Sequence, residues 1–421
     1  MCSIVYHSEI GDSPPQHLDV AFFEEVLETA LRTAKVQLLS IHCKLGSSTG
    51  ENYCSKIYRV TIEYKLHSDP KHTKQQMFIV KSIPRIESVE FIEDLQVYLK
   101  EKITYYDVLP RLELLMQCKQ RFGPKLYQCR KQPENALVFE DLSESGYVMA
   151  SRESGLDEDH CILVMEHLAE FHASSMALAL LDPHIFEAYG DGMLSPNGLA
   201  RDNALLMRFF AGNGQELHSL VKTWPGFERI SDKIAKYLAH QRDNLIRSQA
   251  PSDRDIKVLN HGDLWVNNIL FNYDVVNNRP VDAIFIDFQL SVWGSPGIDI
   301  NYFFYTSTKL DVLQQRRPQL LKRYHDRLAG TLLGFNMDIP VPSYEQILQE
   351  VHRREAYGFF ANYGILPTVS QDKAQTADNN LENFQCEDFA KQKVKQMFAS
   401  ARLEQTLRYT LPHFERAGVF D

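Results

Sequence analysis

The chain has 421 residues, 44% hydrophobic and 24% charged, an ordinary make-up for a soluble globular protein and more chain than one hydrophobic core usually supports, so two lobes are expected. Its formal net charge of −10 excludes a general nucleic-acid binder, which needs a basic face to displace counterions from phosphates. No basic segment precedes the short apolar run Ile4-Val5-Tyr6, and no run of about eighteen apolar residues occurs, so neither a signal peptide nor a membrane span is expected and the chain is placed in the cytosol. The seven cysteines are odd in number and scattered, without a Cys-x-x-Cys pair, and read as reduced thiols rather than a disulfide or zinc framework.

Residues 1–17, with Ser13-Pro14-Pro15, read as a loose leader. Val20, Phe23, Val26, Leu27, Ala30 and Leu31 then recur at helical spacing behind Asp19, which predicts an amphipathic packing helix capped by Asp19 and running to about Thr33. Residues 1–35 are thus leader and helix. From Val36 the pattern changes to β-like runs over residues 36–43 and 55–66. The turn joining them, Gly46-Ser47-Ser48-Thr49-Gly50-Glu51-Asn52, suits backbone N–H groups lying over the phosphates of a nucleotide, with Gly46, Ser48, Gly50 and Asn52 as candidate contacts. It is no Walker P-loop, since no Gly-Lys-Ser/Thr follows Gly50, and it lacks the third glycine of the protein-kinase loop.

Residues 76–81 read as a strand ending in Lys81, like the Val-Ala-Ile-Lys strand whose lysine pairs the α- and β-phosphates. A helix over about 88–108, closed by Pro110, follows, and Glu101 within it is a candidate partner for Lys81. Residues 136–142 form an apolar strand entering an acidic, glycine-bearing stretch; in a two-lobed kinase the backbone of such a linker, here around Glu140 to Leu142, meets the adenine edge.

The remainder reads as mostly helical. Over 159–176, Ile162, Met165, Leu168, Phe171 and Ala173 share a face with His172 beside them as a packed core residue, and 196–250 holds further amphipathic segments. Residues 293–304 form a turn opening a buried helix, where Asp299 either caps the helix or braces a neighbouring loop by accepting backbone N–H bonds. Helices over 318–333, 344–363 and 387–409 complete the chain, interrupted by a polar, mobile stretch at 369–383. Tyr302, Phe303, Phe304, Tyr305, Tyr357, Phe359, Phe360 and Tyr363 are more often core than pocket in such helices, yet a large apolar pocket would suit a steroid-sized ligand.

The residues that carry chemistry are concentrated in His261-Gly262-Asp263-Leu264-Trp265-Val266-Asn267-Asn268 and Ile286-Asp287-Phe288-Gln289. Asp263 and Asn268 lie five apart, the interval in His-Arg-Asp-Leu-x-x-x-Asn, where the Asp orients an acceptor hydroxyl and the Asn binds magnesium. Apolar runs at 269–271 and 283–286 flank a polar stretch containing Asn277-Asn278; that predicts a β-hairpin, which returns Asp287 close to Asn268 so that the two can share one ion. Magnesium is a hard cation whose near-octahedral shell takes one or two carboxylates or an amide oxygen together with nucleotide phosphates. Asn268 and Asp287 meet that demand and leave Asp263 for the hydroxyl. Either fragment alone is more readily an ordinary turn or the end of a buried strand; the spacing and the hairpin together argue for a site.

Taken together, the 261–268 and 286–289 motifs, the 46–52 turn, Glu140-Asp141-Leu142, Leu168-Ala169-Glu170-Phe171-His172-Ala173 and Leu411-Pro412-His413-Phe414 resemble the ecdysteroid kinase-like family of arthropods, relatives of the choline kinases and aminoglycoside phosphotransferases, from about residue 20 to the end. The resemblance implies an α+β, bilobal protein-kinase-like fold: a small β-rich, nucleotide-binding N-lobe over 36–141 and a larger, mostly helical C-lobe over 142–421. It also implies ATP and Mg2+ as cofactors and a small-molecule alcohol, for some members an ecdysteroid, as acceptor, with no obligate protein partner. Residue by residue, Asp263 matches the catalytic base, Asn268 and Asp287 the metal ligands, Lys81 the phosphate-binding lysine and Glu101 its helix partner, with Glu140 and Leu142 at the nucleotide. Gly262 stands where protein kinases carry arginine, and no Ala-Pro-Glu follows Asp287; both departures fit an enzyme without a phosphorylation-gated activation loop and disfavour a protein kinase. The leading expectation is phosphorylation of a lipophilic alcohol. A cationic acceptor such as choline or an aminoglycoside keeps the chemistry and changes the pocket, while a nucleotide-binding pseudokinase would usually have lost the base, the lysine or a metal ligand, all of which are present.

Overall fold

The computed structural model describes residues 5–8, 18–32, 35–46, 55–83, 95–131, 135–199, 205–372, 375–376, 378–379, 381–384 and 386–421. The chain divides into two compact units, one comprising Met1–Ser88, Pro124–Tyr147 and Thr376–Leu381, the other Val89–Gly123, Val148–Gln375 and Glu382–Asp421.

In the first unit the expected amphipathic helix forms at Val20–Leu31, and the Asp19 carboxylate accepts the Phe22 N–H at 2.9 Å, which satisfies one of the helix's orphan donors. Its buried face, Phe22, Phe23, Val26 and Leu27, joins the apolar side of a six-stranded sheet in one core with Ile41, Val60, Ile62, Phe78, Val80 and Val138. The sheet order is β1-β2-β3-β4-β6-β5, with β1 Val5–Ser8, β2 Val36–Leu45, β3 Lys56–Leu66, β4 Asp69–Ile83, β5 Leu126–Arg130 and β6 Asn135–Glu140. Alternation explains the one-sided core: in β3, Tyr58, Val60, Ile62 and Tyr64 are buried while Lys56 and Glu63 face solvent. One expectation is overturned here. Part of the supposed loose leader, Val5–Ser8, is a strand that runs parallel to β2 in the register Val5 to Ser40 through Ser8 to Cys43; a four-residue strand is too short to show a period-two pattern in sequence.

The second unit is mostly helical. Its longest helix, Glu158–Leu181, starts where Asp157 accepts the His160 N–H at 3.3 Å and runs past the expected 159–176. A two-stranded ladder pairs β8 (Val258–Asn260) with β11 (Val292–Gly294), and a three-stranded sheet has the order β10-β9-β7, with β7 Val148–Met149, β9 Ile269–Tyr273 and β10 Pro280–Phe285. The predicted hairpin is thus present as β9–β10. Its turn is built by Asp274, whose carboxylate accepts the Val276 and Asn277 N–H groups at 2.9 and 3.0 Å, and by Asn278 in the left-handed region at φ 54°.

Several helix boundaries differ from expectation for identifiable reasons. Pro110 does not close the helix that contains Glu101: Val97–Ile103 passes through a π-helical turn, Thr104–Val108, into Leu109–Leu115, and the proline stands directly after that turn, whose shift of hydrogen-bond register accompanies the missing N–H. The helix expected over 387–409 is two helices, Glu387–Phe398 and Ala401–Arg416, because Ser400 caps the second through the Leu403 N–H. The stretch at 369–383, expected to be mobile, contains buried Gln371, Thr376 and Asn379. Finally, Tyr302, Phe303, Phe304, Tyr305, Tyr357, Phe359, Phe360 and Tyr363 are all buried and pack edge-on or tilted against one another or other aromatic rings, so they are core and do not argue for an apolar ligand pocket. Among the described residues no helix is long and apolar enough to cross a membrane.

Candidate active site

The second unit holds Asp263, Asn268 and Asp287, and the chain there is pinned by hydrogen bonds that the motif alone does not reveal. The segment after β8 turns sharply at Gly262, at φ 82°; a Cβ on that residue would lie 2.0 Å from the Leu290 carbonyl oxygen. No side chain fits, which is the physical reason glycine occupies the place where protein kinases have arginine. The backbone on either side is held by buried Asp299 in the helix Gly297–Ser307: Oδ2 accepts the His261 N–H at 2.6 Å and Oδ1 the Gly262 N–H at 2.9 Å. Of the two roles foreseen for Asp299, bracing the loop is the one observed. His172, expected as a core histidine, is buried and lies behind that carboxylate, with Nε2 3.3 Å from Asp299 Oδ2 and Nδ1 2.7 Å from the Tyr324 hydroxyl. Burial pushes its pKa down against the pull of Asp299, so the neutral ring that donates from Nε2 and accepts at Nδ1 satisfies both neighbours.

His261 ties the loop to the hairpin. Its Nδ1 accepts the Asp263 N–H at 3.3 Å, which leaves Nε2 to donate to the Ile286 carbonyl at 2.8 Å. The Ile286 N–H in turn donates to the Asn268 carbonyl at 2.9 Å, so the end of the hairpin is stitched to the loop directly beside Asp287. The expected return of Asp287 to Asn268 is therefore seen in the backbone. Asp287 itself is a non-glycine residue in the left-handed region, at φ 67° and ψ 61°, a conformation an aspartate tolerates better than most residues. Its N–H donates to the Tyr105 hydroxyl at 3.0 Å, from the π turn Thr104–Val108. π turns recur at functional positions; this one aims a buried phenol at the carboxylate-bearing backbone. Burial first, then the charges of Glu101 and Asp287, hold the Tyr105 hydroxyl well above its usual pKa, so it stays protonated.

Asp263 has a donor on each carboxyl oxygen. The Tyr302 hydroxyl donates to Oδ1 at 2.5 Å, and Asn268 Nδ2 donates to Oδ2 at 3.1 Å and to the Asp263 carbonyl at 2.9 Å. The carboxyl keeps some solvent exposure but is packed among protein atoms; that desolvation, joined by the charge of Asp287 and opposed by the bonds from Tyr302 and Asn268, pushes its pKa up to about 7. A carboxylate so placed is a competent proton acceptor near neutral pH. With Asn268 Nδ2 spent on Asp263, the amide presents Oδ1, a hard oxygen, and Asp287 adds a carboxylate. Among the described residues no group of three His, Cys, Asp or Glu side chains forms a closed metal site, but magnesium bound with a nucleotide needs only one or two protein oxygens, and that donor set fits it.

The other expected residues are placed as follows. Lys81 is buried in β4, paired with Ile57 of β3 and Leu137 of β6, in the first unit. In the same unit Glu140 ends β6, its N–H donating to the Lys125 carbonyl at 3.0 Å while its carboxylate accepts the Lys125 N–H at 2.6 Å, and buried Leu142 opens a short 3-10 turn capped by Asp141. Gly46 donates its N–H to the Ile57 carbonyl at 2.8 Å, whereas Ser48, Gly50 and Asn52 lie outside the described residues. Glu101 is buried in Val97–Ile103 of the second unit. Two residues that touch the motif were not assigned a role from sequence, Tyr105 and Tyr302. Each lies one helical turn from a residue that was noticed, Glu101 and Asp299, and that i,i+4 or i,i+3 spacing is the signal that would have found them.

A β-rich unit with a six-stranded sheet, and a mostly helical unit carrying an Asp and an Asn five apart with a further Asp returned by a hairpin, is the plan of a small-molecule kinase-like protein. The chain belongs to the ecdysteroid kinase-like family, whose sequence profile it matches over residues 49–337. None of the curated protein sequences matches it. Solved structures similar to it include an ethanolamine kinase of Plasmodium vivax (15% identity, covering 87% of this chain and 84% of that one, TM-score 0.38) and a choline/ethanolamine kinase family protein of Mesorhizobium loti (10%, 83% and 89%, 0.31). A third is an amicoumacin kinase in complex with AMP-PNP, Ca2+ and Ami (12%, 83% and 88%, 0.32). Likenesses this slight say nothing about what this chain acts on.

Proposed function

We propose that the chain is an ATP- and magnesium-dependent kinase that phosphorylates a hydroxyl group of a small molecule, and that the acceptor is an ecdysteroid or another lipophilic alcohol. The observation that carries the reading is the state of Asp263: a carboxylate held by a donor on each oxygen, on a loop to whose end the hairpin returns Asp287. In this reading Asp263 orients the acceptor hydroxyl and takes its proton as the acceptor oxygen bonds to the γ-phosphorus and the β,γ-bridging oxygen departs with ADP. Asn268 and Asp287 are the metal ligands, and magnesium supplies the neutralisation of phosphate charge. Lys81 is the phosphate-binding lysine with Glu101 as its partner. Gly46, Ser48, Gly50 and Asn52 contribute to the phosphate turn, and the backbone at Glu140 and Leu142 meets the adenine. The acceptor class rests on the family, since the aromatic residues that hinted at an apolar pocket are core.

Calorimetric titration of nucleotide into wild type and Asp287→Ala, each with and without magnesium, tests the metal arm of this reading. Wild type should bind ATP more tightly with magnesium than with EDTA, and the variant should lose that difference because its strongest charged ligand is gone. Equal magnesium dependence in the two proteins would remove Asp287 from the site.

A further inference from the structure

We infer that Tyr302 is a positioning residue for phosphoryl transfer, fixing the rotation of the Asp263 carboxylate; the inference rests on the reading of Asp263 proposed above. The terminal torsion of an aspartate is broad and roughly two-fold, so a carboxylate left to itself samples a range of orientations. Here one lone pair of Oδ1 is filled by the Tyr302 hydroxyl at 2.5 Å and one of Oδ2 by Asn268 Nδ2 at 3.1 Å. With both oxygens engaged, and the Trp265 side chain bonded to the same carboxyl, the plane of the carboxylate is set. Tyr302 is suited to this as a permanent donor, because burial and then the charge of Asp263 hold its hydroxyl far above the usual phenol range. It stands three residues after Asp299 on the helix Gly297–Ser307, so one helical face grips the loop twice: Asp299 takes its backbone N–H groups, Tyr302 its functional carboxylate. An Asp–Tyr bond that served packing alone would not need to end on this carboxylate.

The neighbouring Tyr357 provides an internal control. Its ring centroid is 6.1 Å from that of Tyr302, it is equally buried, and its hydroxyl has no hydrogen-bond partner among the described residues. Deleting that hydroxyl removes an oxygen from the same aromatic environment without removing a hydrogen bond from Asp263.

The test uses the full chain as wild type, Tyr302→Phe, Tyr357→Phe and Asp263→Asn, with melting temperature, MgATP affinity by calorimetry, and kcat and KM measured with an acceptor that wild type phosphorylates. Tyr302→Phe is expected to lower kcat about 10- to 100-fold, the range for losing one hydrogen bond to a charged group, with KM for MgATP and acceptor and the MgATP affinity unchanged within about twofold; Tyr357→Phe should match wild type throughout. Wild-type kcat in Tyr302→Phe alongside an inactive Asp263→Asn overturns the positioning role and leaves the kinase reading standing. Equal loss of kcat in both phenylalanine variants also overturns it, as general damage to packing. Full turnover by Asp263→Asn sinks the reading of Asp263 as the acceptor's base, and this inference with it, while wild-type turnover leaves the kinase activity itself standing. If Tyr302→Phe does not fold, a difluorotyrosine placed at 302, which keeps the ring and alters donor strength, must change kcat and not KM; an unaltered kcat overturns the inference.

Discussion

Asp263→Asn is expected to slow phosphoryl transfer about 10²- to 10⁴-fold, the usual contribution of a positioned proton acceptor, while leaving the fold and MgATP binding almost intact. The asparagine preserves the shape of the side chain, and its two neighbours can adjust: the Tyr302 hydroxyl rotates, and Asn268 Nδ2 retains the Asp263 backbone carbonyl as an acceptor at 2.9 Å. What disappears is the group that takes the hydroxyl proton. Because phosphoryl transfer depends on positioning and electrostatics more than on covalent assistance, the loss should fall on the chemical step and not on nucleotide affinity. Single-turnover rates beside a calorimetric MgATP titration check both halves. More than roughly a tenth of wild-type turnover, set against that expected loss, would show that Asp263 does not serve the acceptor.

Gly262→Ala should be as damaging to activity for a different reason. The alanine methyl would have to occupy a point 2.0 Å from the Leu290 carbonyl oxygen, at a backbone φ of 82°. The left-handed region costs an L-residue about 1–2 kcal/mol, and forcing a methyl into packed atoms typically costs about 1–3 kcal/mol more. The structure can yield only by moving the loop away from Leu290, which disturbs the two N–H bonds to Asp299 and carries Asp263 with it. A displacement of about 1 Å at a reacting centre is enough for about a 100-fold loss of rate. The expected result is a melting temperature lowered by several degrees together with at least that loss of turnover. A Gly262→Ala protein with unchanged melting temperature and rate would mean that the loop has room that the structure denies it.

The legible parts of this chain were those where one residue type answers one local demand. Asp19 as a cap, the alternation of Tyr58, Val60, Ile62 and Tyr64, and the β9–β10 hairpin around Asp274 and Asn278 each follow from short-range rules, and each is present. The spacing of Asp263 and Asn268 and the return of Asp287 were readable for the same reason, since a hairpin is a local device. What the sequence hid was tertiary. Val5–Ser8 became a strand only because β2 offered an edge. Pro110 failed to end its helix because a π turn intervenes. The aromatic residues around 302–305 and 357–363 favoured core over pocket in the sequence, and packing decided for core. Tyr105 and Tyr302 act across 182 and 39 residues of chain; helical spacing from Glu101 and Asp299 marks their faces, but only the tertiary fold shows what those faces meet.

The most direct measurement is a mass-spectrometric search for the product. The full chain is incubated with MgATP and a panel of ecdysteroids, other hydroxylated lipophiles, choline, ethanolamine and aminoglycosides, in parallel with Asp263→Asn. Wild type should add one phosphate to a neutral lipophilic alcohol and to no cationic one, and the variant should add none. Preference for choline or ethanolamine would overturn the acceptor class alone; tight MgATP binding by wild type with no acceptor gaining a phosphate would contradict the claim that this chain is a kinase.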